Sequence, residues 1–341
     1  MSGRRDTLRQ PDMPHKRQRH GAHVALAGVL FVAVAVAAVV AASAVRGHPR
    51  TATRPLPRPT VSAQATRVAH TRRTARLPAL PAPIAQLQAP RHGPLIAGPR
   101  NLAVPILRYH VVGIPSPRQP YAYLFVAPQA FAAQLRYLAT HGYHAVTLRQ
   151  VAEFWHGRGR LPAHPIVLTF DDGYRSDFAT VAPLLRELRW PAVLYQCLRF
   201  LGPNLPPPYS HRQVANGALT VPEIRALIHS GWEIDAHTMT HPDLCRVSAA
   251  RLWAEVAGSR AALQRLFGVP VDFFSYPRGL FDSAAIAAVR RAGFLGATTC
   301  DAGLATPAMT YTEDRIGVEG GETLAAFARS LQTGFGTGTG E

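Results

Sequence analysis

Between residues 46 and 100 the chain has no acidic residue and no phenylalanine, tyrosine or tryptophan. The first absence leaves ten arginines uncompensated, and the second removes the large side chains that a packed core needs. Ten prolines complete the segment. Such a stretch cannot bury enough apolar surface to offset its ordering entropy. It is expected to be a disordered, partly polyproline linker, extended by its own charge repulsion. With no aromatic to stack bases, it is not expected to bind nucleic acid. It suits an anionic surface such as a cell wall or lipid head groups.

Cysteine is scarce too. Cys197, Cys245 and Cys300 form no CxxC pair, which excludes a disulfide framework and a zinc-finger pattern. One disulfide stays open if the domain lies outside the cytosol. No glycine-rich phosphate fingerprint is present, and this argues against an open nucleotide-binding sheet. The net charge is +17, yet residues 101–341 hold 21 basic and 18 acidic residues. The basic excess therefore belongs to the N-terminal third.

Residues 24–42, VALAGVLFVAVAVAAVVAA, run for nineteen positions without a charge. At about 1.5 Å per residue, a helix of that length crosses a bilayer core. Residues 22–45 are expected to be a transmembrane signal anchor, with residues 1–21 as a basic cytoplasmic tail. The small residues Ala42-Ser43-Ala44 offer the alternative of a cleaved signal and a secreted protein. Either way, residues 101–341 are expected outside the cytoplasm, most simply on a single-pass protein of the cell membrane.

From Leu102 onward, short apolar runs alternate with helical patterns. AVPILRYH (103–110), HAVTL (144–148), PIVLTF (165–170), PAVLYQC (191–197), WEIDAH (232–237), DFFSYP (272–277), FLGATTC (294–300) and EDRIGV (313–318) read as strands. Between them, 128–143, 149–157, 177–188, 220–231, 248–268 and 283–293 read as helices, several ended by glycine. Alternation of this kind implies a parallel sheet with helices outside. About seven units predict a distorted (β/α) barrel, whose site lies where the strands end.

Three motifs fall at those ends. IVLTFDDGY places Asp171 and Asp172 side by side as a strand emerges. Neighbouring strand side chains point to opposite faces, so two carboxylates serving one site need a bend, which Gly173 permits. HTMTH sets His237 and His241 four apart, on one face if the segment turns helically. Two histidines and one carboxylate form a common catalytic metal set with open positions. Asp172 is the natural third ligand, and Asp171 is then free to act as the base toward a water. His144 and His164 lie at the opposite end of the strands, and Cys245 reads as a small apolar filler.

TFDDGY, HTMTHPDL and FSYPRG together resemble the polysaccharide deacetylases, the carbohydrate esterase family 4 or NodB-homology group, over roughly residues 104 to 320. The resemblance implies a distorted (β/α) barrel and the removal of acetyl groups from a sugar polymer. It implies Asp171 as catalytic base, Asp172, His237 and His241 as ligands of a divalent metal, usually zinc, and the Tyr276 N–H, beside Pro277, as the oxyanion and substrate contact. Arg278 and Arg315 are candidates to orient the base. The chain departs from the family pattern in having no histidine after His241, where the general acid is usual. ILRYH resembles the opening of the poly-N-acetylglucosamine deacetylase branch, and this makes His110 the candidate acid. The expected partner is a cell-wall or extracellular polymer of N-acetylhexosamine. A hydrolase of non-sugar amides and a non-catalytic carbohydrate-binding protein with a relic site are the alternatives.

The sharp change of composition at about residue 100 generates a first prediction. A fragment of residues 101–341 should unfold cooperatively on heating, followed by circular dichroism. A fragment that is only disordered or aggregated would refute this division of the chain.

Overall fold

A computed structural model describes residues 95–97, 100–202 and 217–336. The expected tail and signal anchor, and nearly all of the expected linker, lie outside the described residues. Among the described residues no helix is long and apolar enough to cross a membrane.

Seven strands build the central sheet: β1 (Ile106–Tyr109), β2 (Pro165–Asp172), β3 (Val193–Gln196), β4 (Glu233–Ala236), β5 (Phe273–Ser275), β6 (Gly296–Thr298) and β7 (Ile316–Gly317). Their order is β6-β5-β4-β3-β2-β1-β7, and every pairing is parallel. A short strand, His144–Ala145, pairs with the start of β2. The curl closes through the segment before β7. Glu313 exchanges hydrogen bonds with β6 and its end (Thr299 N–H to Glu313 O, 2.9 Å; Glu313 N–H to Ala297 O, 2.8 Å), while Ile316 and Gly317 pair with β1. The expected distorted barrel is thus present as a curled parallel sheet joined across its gap by one segment.

Among the described residues seven α-helices cover the outside: α1 (Pro128–Thr140), α2 (Leu148–Trp155), α3 (Ala182–Leu188), α4 (Val221–His229), α5 (Ala249–Phe267), α6 (Ser283–Arg291) and α7 (Leu324–Thr333). Local chemistry sets several starts. Thr147 and Thr220 each cap a helix reciprocally with a residue three positions on, Gln150 and Glu223. Gly268 ends α5 in the left-handed conformation. The expected helix 177–188 begins with a wide turn, Asp177–Val181, before α3. Helix α7 was not anticipated. Leu95–Ile96, inside the stretch expected as linker, pairs antiparallel with Leu161–Pro162.

Alternation along the strands sorts the side chains into two sets. One set, including Leu107, Leu168, Phe170, Leu194 and Ile234, packs outward against α1, α3 and α4. Ala236, Phe274 and Ala297 do the same against α5 and α6. The opposite set fills the interior. Ile106, Val167, Val193 and Phe273 form an apolar floor. Above it the interior turns polar, with Arg108, Thr169, Tyr195 and Asp235 all buried. Burial, reinforced by nearby Glu233, pushes the Asp235 and Glu313 carboxyls well above the usual carboxylate range. The polar layer leads to the C-terminal end of the strands, where the barrel opens.

Gly296 marks a tight part of the closure. A Cβ there would lie 2.7 Å from the Thr310 carbonyl oxygen and 3.1 Å from Phe273 Cδ1. Gly296→Ala should therefore lower stability by about 1–3 kcal/mol through overpacking. A urea midpoint shifted down at unchanged m-value would show it; an unshifted midpoint would mean that the 310–313 segment yields freely.

Candidate active site

The two adjacent aspartates occupy different backbone conformations. Asp171 continues β2, whereas Asp172 has φ 77° and Gly173 φ 97°, both left-handed. The reversal turns the Asp172 carboxylate into the same space as Asp171. It runs over Gln196, whose side chain donates to the carbonyls of Asp172 (3.2 Å) and Cys197 (2.6 Å). A Cβ at position 173 would sit 2.3 Å from Gln196 Oε1, so both the sign of φ and the space require glycine. The bend expected from the sequence is therefore built at Asp172 as well as at Gly173.

The HTMTH segment is not a helical turn. His237 continues from β4, and Thr238 (φ 68°) and His241 (φ 60°) are both left-handed. These two reversals bring the second imidazole back beside the first, with ring centroids 4.9 Å apart. The loop is templated from outside by Glu255 of α5, a buried residue. Its carboxylate accepts from the Met239 N–H (3.0 Å), the Thr240 N–H (2.8 Å) and the Thr240 hydroxyl (2.5 Å). Thr238 Oγ1 accepts from the His241 N–H at 2.8 Å. Sequence reading missed Glu255. Its signal was a lone acid on the otherwise apolar inner face of a helix that directly follows the motif.

Asp172, His237 and His241 offer three donor atoms lying within 4.8 Å of one another. His237 Nδ1 bonds the Ser275 carbonyl at 2.8 Å. That ring nitrogen therefore carries the proton, and Nε2 turns its lone pair inward. Burial lowers the pKa of both histidines; for His241, neighbouring His237 and Arg278 add to the effect. Both rings are neutral near pH 7, so their approaches to Asp172 are not ion pairs. Asp172 Oδ1 lies 3.6 Å from His237 Nε2 and 3.5 Å from His241 Nε2. This is long for a hydrogen bond. It matches the edge of about 3.4 Å between ligands of a tetrahedral ion with bonds near 2.1 Å. The donor set, its protonation and its spacing all fit a divalent cation.

Asp171 is held differently. Its two oxygens accept from Arg315 Nη1 and Nη2, each at 2.8 Å. Arg315 is fully buried, and its remaining N–H groups go to Thr169 Oγ1 (3.1 Å), Ser275 Oγ (3.0 Å) and the Thr299 carbonyl (2.8 Å). All five donors are used, which fixes the guanidinium plane. Burial alone would raise the Asp171 pKa, but Arg315 overrides it and holds the carboxyl well below the usual range. Of the two arginines considered as orienters of the base, Arg315 has that contact. Arg278 is exposed, with φ 56°, and lines the pocket instead.

These groups share one cavity of about 290 Å³, which His110, Tyr121, Tyr123, Arg278 and Cys300 also line. His110, just past β1, is half-buried there. Burial pushes its pKa down to about 3, opposed by Asp171 and assisted by Arg108 and Arg315. It is a neutral imidazole at pH 7. Asp177, close to the dyad in sequence, has its carboxyl pushed well above the usual range by burial and by the charges of Asp172 and Asp171.

Three expectations need correction. The Tyr276 N–H donates to the Thr298 carbonyl at 3.2 Å within the sheet, and its ring is buried in the α5–α6 core. The N–H expected as the oxyanion donor is thus engaged within the sheet. Cys245 is exposed, not a filler, because the turn at 244–246 lifts it off the core. The three cysteines are all free. Cys300 lines the pocket, where Arg108 Nη1 donates to its sulfur at 2.9 Å.

Comparison with known proteins agrees with this geometry. Residues 158–297 match the family model described as polysaccharide deacetylase. The Bacillus subtilis protein YxkH, named for that activity, is 24% identical over 232 residues, covering 67% of this chain and 76% of its own. The poly-beta-1,6-N-acetyl-D-glucosamine N-deacetylase of Escherichia coli is 39% identical over 71 residues, which is 21% of this chain but 11% of that enzyme. Among solved structures, BC0361, a polysaccharide deacetylase from Bacillus cereus, superposes with a TM-score of 0.58 at 25% identity, over 68% of this chain and 69% of its own.

Since Glu255 bonds the loop but not the pocket, its role is testable apart from chemistry. Glu255→Ala should weaken zinc binding about 10–100-fold, the range for lost outer support of a ligand. Competition with a chromophoric chelator measures this; unchanged affinity would mean that the two left-handed residues hold the loop unaided.

Proposed function

We propose that the chain, whose residues 158–297 match the polysaccharide deacetylase family model, is a hydrolase of the deacetylase class that removes N-acetyl groups from an extracellular or cell-wall polymer of N-acetylhexosamine. The observation that carries the reading is one pocket holding a carboxylate–imidazole–imidazole donor set beside a separate, arginine-clamped carboxylate. Asp172, His237 and His241 would hold a divalent ion, with zinc favoured by this ligand mix, and the ion would supply Lewis acidity toward the acetyl carbonyl and toward water.

The protein's own groups handle the protons. Asp171 accepts the proton of the attacking water. Arg315 keeps it ionised and aimed, at the expense of basicity, so the reaction relies on position more than on proton affinity. One proton leaves the water and one is needed by the departing nitrogen. His110, neutral in the resting cleft, can receive that proton and pass it on. Its low pKa makes it a strong donor once charged. Arg278 lines the cavity and offers N–H donors to the developing oxyanion in place of Tyr276. The assembly of all these groups in one cavity favours this reading over a relic site.

The apolar run 24–42 places the reaction at a membrane in this proposal, with the domain on the outer side. The Pro/Arg-rich segment 46–100 gives reach and attraction toward an anionic envelope. No nucleic-acid partner is invoked.

The division of labour should appear in variants of the metal-loaded protein, read by bound metal and by acetate release. Asp172→Ala, His237→Ala or His241→Ala should lose metal. Asp171→Asn should keep it and lose turnover, and His110→Ala should keep it and lose about 10²–10⁴-fold in kcat on N-acetyl substrates. The His110→Ala deficit should shrink on an aryl acetate, whose leaving group needs no proton. Equal losses on both substrates would remove His110 from proton transfer; metal release by Asp171→Asn would merge the two aspartates into one role.

A further inference from the structure

A second cleft opens between α3 and α4. Its volume of about 500 Å³ falls inside the range of roughly 300–1,000 Å³ usual for small-molecule sites. Spacing along the two helices builds it. Ala182, Arg186 and Arg189 recur at i, i+4 and i+7 on one side, and Ala226, His229 and Ser230 at i, i+3 and i+4 on the other. The alanines leave the space and the basic residues border it. Trp190 and Trp232 complete the wall. They stand just before β3 and β4, at the end of those strands opposite to Asp172 and His237. The cleft is therefore remote from the catalytic cavity.

Its polar wall is one-sided. Among the described residues no acid lines the cleft. The guanidinium groups of Arg186 and Arg189 have no partner there, and neither indole N–H meets an acceptor. His229 Nδ1 donates to the Arg225 carbonyl at 2.6 Å, which leaves Nε2 as the open ring atom. A basic residue in the last turn of a helix offsets the helix dipole. That accounts for Arg186 and His229, but not for two indoles without a protein acceptor, nor for Arg189. Arg189 ends α3 in the left-handed conformation, with φ 57° and ψ 37°. Glycine takes that position after α5 and α7, at Gly268 and Gly334. After α3 the chain accepts the steric cost of a side chain there, and the cleft gains a second guanidinium.

We propose that this cleft is a second ligand site that binds a phosphate group carried on a sugar or polyol. Donors without acceptors call for an anion. These donors come from α3 and its end, from α4 and from the tryptophan wall, so they converge from several directions. A carboxylate is flat and one guanidinium fork satisfies it, whereas a phosphate presents oxygens in three dimensions and engages both arginines. The cleft exceeds what a bare phosphate fills, and the room beside Ala226 takes the polyol. The proposal stands apart from the deacetylase reading.

The test uses the full-length chain with glycerol 3-phosphate, glucuronate and glycerol as probes, followed by calorimetry and by tryptophan emission. Trp190 and Trp232 are two of four tryptophans, so occupation of the cleft should change that emission saturably. Glycerol 3-phosphate should bind at least about fivefold more tightly than glucuronate, and glycerol should not bind. Arg186→Gln and Arg189→Gly should each weaken glycerol 3-phosphate roughly five- to tenfold, as expected for a lost charge-assisted contact. Arg189→Gly relieves the left-handed strain, so its melting temperature should not fall. Soluble poly(glycerol phosphate) and phosphatidylglycerol vesicles then tell a polymer from a membrane head group as the source, because the two variants should weaken the one that enters the cleft. No saturable binding, or equal affinity for glucuronate, would overturn the proposal. Binding that both variants leave unchanged would belong to the arginines of residues 46–100 and would overturn it as well.

Discussion

The bidentate bond between Arg315 and Asp171 is the interaction on which the rest of the site depends. A guanidinium with no exposed surface is tolerable only if its charge is matched and its donors are all taken. Asp171 supplies the charge, and Thr169, Ser275 and the Thr299 carbonyl take the other donors. These partners come from β2, from the end of β5 and from just beyond β6, while Arg315 itself stands on the segment that closes the barrel. Arg315 therefore ties the closing segment to β2, β5 and the end of β6 and fixes the carboxylate by the same contacts. Ser275 extends the network, since its carbonyl fixes the tautomer of His237. Closure of the fold and arrangement of the site are one set of hydrogen bonds.

Backbone strain is gathered at the same end. Asp172, Thr238, His241, Arg278 and Tyr121 all have positive φ without being glycine, and each lines the cavity or lies in the loop that builds it. Side chains from parallel strands leave a barrel fanning outward. Pointing several of them at one spot requires the chain to reverse sharply within a residue or two, and the left-handed conformation is how it does so. The fold offsets this with a large apolar shell between sheet and helices and with external braces such as Glu255.

Electrostatics keeps neighbouring carboxyls in different states. Arg315 holds the Asp171 carboxyl well below the usual carboxylate range, whereas burial pushes Asp177, Asp235 and Glu313 well above it, helped by Asp172 and Asp171 at the first and by Glu233 at the other two. Burial also lowers the pKa of His237 and His241. Each protonation state follows from the local surroundings and not from residue type.

Much of this was legible in the one-dimensional pattern. The alternation of apolar runs and the caps at Thr220 and Gly268 depend on near neighbours, so strand and helix order could be read directly. The placement of Asp171, Asp172, His237 and His241 at strand ends followed from that order. Other features were not legible, because they join residues distant in the chain. Arg315 meets Asp171 across 144 positions and Arg108 meets Cys300 across 192. Glu255 lies only sixteen positions after Met239, but its aim depends on how α5 docks. The Tyr276 N–H was expected in the site because a motif gives neighbours but no hydrogen-bond partners; β6 took it. Likewise HTMTH allowed a helical turn, and only packing chose the two left-handed reversals. The sequence determined which residues reach the open end of the barrel, because period and order suffice for that. The tertiary structure alone decided which of them touch and how each is protonated, because charge pairing, desolvation and backbone reversal depend on distance in space.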